Sequence, residues 1–323
     1  MIQEIFKGLY QIKIPLPGNP LKALNSYLIK GKKRSLLIDT GFNWTTCKKA
    51  QLHAMAKLGL NWAEIDFFIT HAHGDHSGLV YELASKDSIV YCSKADADLL
   101  QECMTAKYWE KNDAFYIING YPEKDIEGYV DNMTDWISGS DIKFTYVKDG
   151  DIIEVGDYSL TCIATPGHSP GHMCLYEPKH KFLIAGDHLL GSITSNITSW
   201  TGRDDFLGLY LSSLDKVNRF DINLVLPGHR ETISDPYRRI LELKNHHGKR
   251  LAEIFDILKH GPMNAYQVAG HMHWDVKCDS WEEFPSYQKW FATGEALAHL
   301  EHLVELKRIQ CRQQGQVRVY EQL

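Results

Sequence analysis

The sequence predicts an α/β protein with a small helical domain at its C-terminal end. Three observations predict this. Strand-like apolar runs alternate with helical patterns through roughly the first 243 residues. Four loops rich in His and Asp each follow or close such a run. From about Tyr237 the pattern changes to long helices closed by a short hairpin.

Ser26–Ile29 and Ser35–Asp39 flank the basic, Gly-centred turn Lys30-Gly31-Lys32-Lys33-Arg34 and predict a hairpin with a solvated tip. Thr45 to Leu58 has helical spacing, with Gly59 as its stop. The run Ile65–Ile69 reads as a buried strand, Ser77–Ala84 as a helix and Ser88–Cys92 as a strand. Residues 99–148 break the alternation. They carry Tyr108, Trp109, Phe115, Tyr116, Tyr121, Tyr129, Trp136, Phe144 and Tyr146, and five Lys against nine acidic residues. Such a segment is either a helical insertion acting as a lid or a surface helical pair whose aromatics pack on the sheet. Strands resume at Ile152–Val155 and Tyr158–Ile163, joined through Gly156-Asp157, a type I′ hairpin signal. Met173–Tyr176 and Phe182–Ala185 follow, then a helix near Asp205–Asn218 and the strand Leu224–Leu226. Ile240–Lys259, Asn264–Met272 and Gly294–Lys307 predict three helices, and Ile309–Cys311 with Val317–Tyr320 a hairpin. That is the outline of a winged helix over residues 244–323.

Composition narrows the function classes. An apolar fraction of 44% is ample for a core, and no apolar run approaches the ~20 residues that cross a bilayer. The N-terminal residues show no basic stretch followed by an apolar one, so a cytoplasmic protein without a membrane partner is expected. Seven scattered cysteines without C-x-x-C spacing predict reduced thiols rather than a zinc ribbon or disulfides. A net charge of −6 argues against a polyanion as the main partner.

The chemistry is concentrated in Thr70-His71-Ala72-His73-Gly74-Asp75-His76, at the end of a predicted strand. Residues two apart on an extended backbone point the same way, so His71 and His73 can grip one metal. Asp75 and His76 diverge, which suits a second metal. Imidazole with carboxylate favours zinc or another borderline ion over calcium or magnesium. Three further loops add Gly167-His168 with His172, Gly186-Asp187-His188 and Gly228-His229. Ligands at several strand ends are what a preorganised metal site requires. The remaining histidines His246, His247, His260, His299 and His302 are expected at helix surfaces, and His271-Met272-His273 lacks partners for a separate site.

These four loops, with Leu37-Ile38-Asp39-Thr40-Gly41 ahead of them, resemble the metallo-β-lactamase superfamily over roughly residues 1–243. The resemblance implies an αββα sandwich of two mixed sheets faced by helices, followed here by the winged-helix-like domain. It implies that His71, His73 and His168 hold one metal and that Asp75, His76 and His229 hold the other. Asp187 would bridge them, with Asp39 behind the ligands. His172 and His188 flank ligands in the sequence and are candidates to line the pocket or support them. Two zinc ions are the implied cofactor, with iron or manganese as alternatives, since the family's persulfide dioxygenases use similar ligands with iron. Many true zinc β-lactamases place a cysteine where Asp187 stands, and flavodiiron proteins a glutamate where His73 stands. The stretch Thr165–His172 looks most like glyoxalase II.

The implied function is hydrolysis of a small ester or thioester by a metal-bridging hydroxide, with Asp75 and Asp187 as catalytic carboxylates and Asp75 also able to shuttle a proton. No basic cluster that would seat a glutathione carboxylate is identified along the sequence. The alternative is an endoribonuclease acting on single-stranded RNA, since lactamase-β-2-like relatives also carry an appended winged helix. Nucleic acid is disfavoured by charge: residues 244–323 hold ten Lys/Arg against ten Asp/Glu, and Glu295, Glu301 and Glu305 lie on the third helix. A winged helix used for packing, for covering the site or for homodimerisation fits this charge better.

Overall fold

The computed structural model describes residues 1–126, 142–199 and 204–323. The first sheet has seven strands in sequence order: β1 (Ile2–Phe6), β2 (Leu9–Pro15), β3 (Ala23–Ile29), β4 (Ser35–Ile38), β5 (Ile65–Phe68), β6 (Val90–Ser93) and β7 (Phe144–Val147). Its first three pairings are antiparallel and its last three parallel. The second sheet runs β12 (Leu224–Pro227), β11 (Phe182–Gly186), β10 (Met173–Glu177), β9 (Tyr158–Ala164), β8 (Ile152–Val155), parallel only between β11 and β12.

The strands are apolar on both faces because both faces are covered. Tyr27, Ile29, Leu36, Ile38 and Phe68 meet Leu160, Cys162, Leu175, Phe182 and Ile184 between the sheets. The alternate residues Leu28, Leu37 and Phe67 face outward onto helices that include α1 (Thr45–Leu58). Outside the second sheet lie α6 (Phe206–Val217) and α7 (Pro236–Ile257). The order of layers is therefore helix, sheet, sheet, helix, with mixed sheets.

Between these lie α2 (Gly74–Ser77), α3 (Val80–Leu83), α4 (Lys94–Cys103) and α5 (Ala106–Ile118). The single helix expected over Ser77–Ala84 is thus two separate turns. Part of the expected insertion, Phe144–Val147, is the edge strand β7. Among the described aromatics of this segment, Phe144 packs in the core of the first sheet. Phe115, Tyr116 and Tyr121 join the core of the C-terminal helices, with Tyr116 stacked on Trp290 at 4.8 Å. Tyr129 and Trp136 lie outside the described residues. In the basic turn, Arg34 makes a two-pronged ion pair with Asp66 at 2.7 and 2.8 Å.

The C-terminal part consists of the end of α7, α8 (Ala265–His271), α9 (Ser286–Glu305) and the hairpin β13 (Ile309–Gln314) with β14 (Val317–Gln322). Helix α7 runs unbroken through residue 243. Its Ile240 and Leu243 pack on the second sheet's helical layer, and its Ile254 belongs to the C-terminal core. Among the described residues no helix is long and apolar enough to cross a membrane.

Candidate metal centre

The parallel strands β4, β5, β11 and β12 all end on the same side of the sandwich, and the loops leaving them carry the candidate ligands. After β5 the chain bends through Thr70–Ala72 and is extended again at His73, whose ψ of 143° precedes α2. This carries His71 and His73 to one metal position while α2 turns Asp75 and His76 to another. Ligand atoms of His71, His73 and His168 lie within 4.8 Å of one another, and so do those of Asp75, His76 and His229. A third group, His71, His76 and Asp187, joins the two. Asp187 Oδ2 stands 3.7 Å from His168 Nε2, and its Oδ1 is 3.4 Å from His76 Nε2 and 3.6 Å from His229 Nε2. One carboxylate therefore reaches both halves. Among the described residues, every group with metal-ligand geometry belongs to this centre, and His271 and His273 are in none.

The centre fits cations for a specific reason. Four of its rings have their Nδ1 engaged from behind: His71 by Thr70 Oγ1 at 3.0 Å, His76 by Asp39 Oδ2 at 2.7 Å, His168 by the Asn196 carbonyl and His229 by the Ala23 carbonyl, both at 2.8 Å. Those acceptors place the proton on Nδ1 and leave the Nε2 lone pair facing inward. His71 and His168 then oppose their Nε2 atoms at 3.2 Å, and His76 and His229 theirs at 3.3 Å. Two nitrogens bound tetrahedrally to one zinc lie ~3.3 Å apart. Facing lone pairs repel unless a cation sits between them. Asp187 Oδ1, buried and accepting no hydrogen bond, completes the case.

Charge balance agrees. Burial, with the neighbouring imidazoles, holds His71 well below its ordinary value and His73 down to about 3, and burial also lowers His168. These three are neutral ligands at pH 7. Burial works against charge on His76 too, but Asp39, Asp187 and Asp75 outweigh it and hold it well above the usual imidazole range. His229 is raised likewise by Asp187 and Asp75. Burial would raise Asp75 and Asp187, yet the facing imidazoles pull Asp75 down to about 2 and Asp187 well below the carboxylate range. Protein alone would thus draw protons onto His76 and His229, whereas divalent cations supply the same positive charge and displace them.

Asp39 does not face the metal positions. Its backbone is held at φ 57°, and it accepts the Thr70 N–H at 2.9 Å, the Thr70 hydroxyl at 2.8 Å and His76 Nδ1. His172 is outside all three ligand groups. Its Nδ1 donates to Thr165 Oγ1 at 2.8 Å and its Nε2 accepts the Asp187 N–H at 3.1 Å, so the ring fixes the Asp187 backbone. Space here is tight. A Cβ on Gly228 would stand 2.6 Å from Asp187 Oδ1, and one on Gly186 2.7 Å from His172 Nε2.

Several contributors escaped the sequence reading. Asp96, fully buried, accepts the Ala72 N–H at 2.9 Å, the Ser169 hydroxyl at 2.5 Å and the Gly171 N–H at 2.6 Å. It ties the His71–His73 loop to the His168 loop, and burial pushes its carboxyl up to about 6. Asn25 likewise clamps the His229 loop through the carbonyls of Pro227 and Arg230. Two surface assignments need correction: His247 and His299 are buried, with His247 Nδ1 donating to His299 Nε2 at 3.1 Å.

With this geometry in hand, comparison with known proteins is informative. The family model described as "Metallo-beta-lactamase superfamily" matches residues 21–229, and that of a "Metallo-beta-lactamase-like, C-terminal domain" matches residues 251–322. A "Beta-lactamase-like protein 2 homolog" of Caenorhabditis elegans is 27% identical over 263 residues, covering 79% of this chain and 72% of its own. The human "Acyl-coenzyme A thioesterase MBLAC2" is 25% identical over 234 residues, covering 64% and 73%. The crystal structure of a metallo-beta-lactamase family protein from Thermus thermophilus superposes with a TM-score of 0.85 at 27% identity, over 99% of this chain and 100% of that one.

Proposed function

The chain belongs to the metallo-beta-lactamase superfamily and is a hydrolase of that superfamily, and from that premise we propose a binuclear zinc enzyme that hydrolyses small acyl esters or thioesters. The observation that carries the reading is Asp187, placed between two sets of inward-facing imidazoles. In this reading His71, His73 and His168 hold one ion, Asp75, His76 and His229 the other, and Asp187 both. The donor set also admits iron or manganese.

When bound, two divalent cations supply water activation near neutral pH and stabilise the negative charge that develops on the carbonyl oxygen. The chain's own residues do the rest. Asp39 and Thr70 fix the ring orientations of His76 and His71, and His172 fixes the Asp187 backbone. Asp75, whose Oδ2 lies 3.1 Å from His229 Nε2, has a second oxygen with which to take the proton of the attacking water. That proton passes to the leaving group. A C–O bond forms, the C–S or C–O bond to the leaving group breaks, and an acid and a thiol or alcohol depart without redox change.

Thioesters come first because a relative named as an acyl-coenzyme A thioesterase is 25% identical over 234 residues. We read residues 244–323 as a winged-helix-like domain used for packing. Its longest helix, α9, buries Trp290, Gly294, Leu297, His299, Leu300 and Leu303, so most of that helix is taken up by packing, and the residues it exposes are Ser286, Tyr287, Phe291 and Glu305. The test is zinc-loaded protein assayed for thiol release from acyl thioesters beside labelled single-stranded RNA, with chelated protein as control. Thiol release that needs the metal supports the reading. RNA cleavage without thiol release overturns it in favour of the ribonuclease.

A further inference from the structure

A groove of about 470 Å³ opens at the edge of the first sheet, between β1, β2 and α1. Its walls bring together Lys13, Lys22, Lys49 and His53, which are scattered along the sequence and exposed in the fold. No Asp or Glu lines it, and among the described residues none of the four has a carboxylate partner. Lys48, the residue before Lys49, does have one, in Glu82. In a chain of net charge −6, three unpaired lysines around one groove are a local reversal of sign. The floor is apolar, with Ile2, Ile12 and Ala50.

Topology places this groove beside the metal centre. Strands β2 and β3 pair antiparallel from Leu9↔Ile29 to Pro15↔Ala23, and β3 pairs antiparallel with β4. The Pro15–Ala23 end of the hairpin therefore lies at the end of the sheet where Asp39 follows β4 and His71 follows β5. Ala23 belongs to both sites: it lines the groove, and its carbonyl accepts His229 Nδ1 at 2.8 Å. Arg230, the residue after that ligand, holds the same hairpin through the Pro20 carbonyl at 2.7 Å.

We propose that this groove seats the phosphate-bearing nucleotide arm of a coenzyme A thioester, while the flexible remainder of the carrier passes over the Pro15–Ala23 hairpin to present its thioester to the metal centre. The inference rests on the thioesterase reading and names the carrier that reading leaves open. The lysines match the phosphates in charge, and the apolar floor suits the base. Exposed lysines act mainly through long-range attraction, so the effect is sensitive to salt.

The test is the triple variant Lys13→Gln, Lys22→Gln, Lys49→Gln in zinc-loaded full-length protein. Its preference for an acyl-coenzyme A over the same acyl group on N-acetylcysteamine, taken as the ratio of kcat/KM values, is expected to fall about tenfold or more. The salt dependence of KM for the coenzyme A substrate is expected to flatten with it. An unchanged ratio overturns the groove. Calorimetry with free coenzyme A keeps the two readings separable. Binding to wild type that weakens in the variant upholds the groove even if neither thioester is hydrolysed, in which case the hydrolytic reading fails alone. Equal binding to both proteins overturns the groove whatever the activity.

Discussion

Asp39 and Asp96 show how much of this centre is held by residues that never face its cations. Each gathers three donors on one buried carboxylate. Asp39→Asn keeps the shape but replaces one acceptor oxygen with an NH2 group, so either His76 or Thr70 loses its anchor. Zinc affinity, measured by competition with a chromophoric chelator, is expected to fall about 10–100-fold with the fold intact; an unchanged affinity would show that Asp39 does not orient His76. Asp96→Ala strands two buried N–H groups and a hydroxyl, and is expected to cost about 2–4 kcal/mol in urea unfolding. A loss below half a kcal/mol would mean the loops are pinned elsewhere. The sequence exposed the first of these residues and hid the second. Asp39 sits at the end of an apolar run next to Thr40-Gly41. Asp96 follows Ser93 by three residues, and a carboxylate there reads as ordinary helix N-terminal chemistry. His71, His73, Asp75 and His76 were legible because their density in one loop has no packing explanation.

Elements with their own local signals were read closely. Helix α1 runs from Thr45 to Leu58, where the apolar spacing put it, and ends because Gly59 turns left-handed at φ 65°. No atom lies within 4 Å of a Cβ there, so Gly59→Ala is purely a backbone test. It is expected to lower stability by about 1 kcal/mol, read as a drop of a few degrees in Tm. An unchanged Tm would show that the helix end does not depend on the left-handed turn. The hairpin through Gly156-Asp157 was equally local. Strand β7 was not, because its buried ends and exposed middle carry no period of two. The packing of Tyr116 was not legible because its partner lies far away in the chain: Tyr116 is aromatic in sequence, but only the fold supplies Trp290. The lysines of the basic groove come from strand β2, the turn just before β3 and helix α1, so no window of sequence contains them.

At the scale of the molecule, α9 is central rather than peripheral, and this explains the histidines misassigned to the surface. It packs on α6, α7 and α8, so positions that look polar in a helical wheel are inside. Burial, then each other's proximity and Arg250, hold His247 down to about 2; burial foremost holds His299 down to about 3. In the unfolded chain both take protons near pH 6.5. Below that value the unfolded state gains protons the folded state refuses, so stability falls with pH, by up to ~1.4 kcal/mol per unit for each ring. Metal-free His247→Gln is expected to show a shallower loss between pH 7 and 5 in denaturant titrations; parallel curves would contradict the buried neutral pair. The claim on which the function rests is that Asp187 joins two cation positions into one centre. Counting zinc ions per folded chain in wild type and in Asp187→Ala tests it most directly. The account predicts two ions falling towards one, with hydrolysis abolished. Two ions and activity retained in the variant, or none bound by wild type, would contradict it.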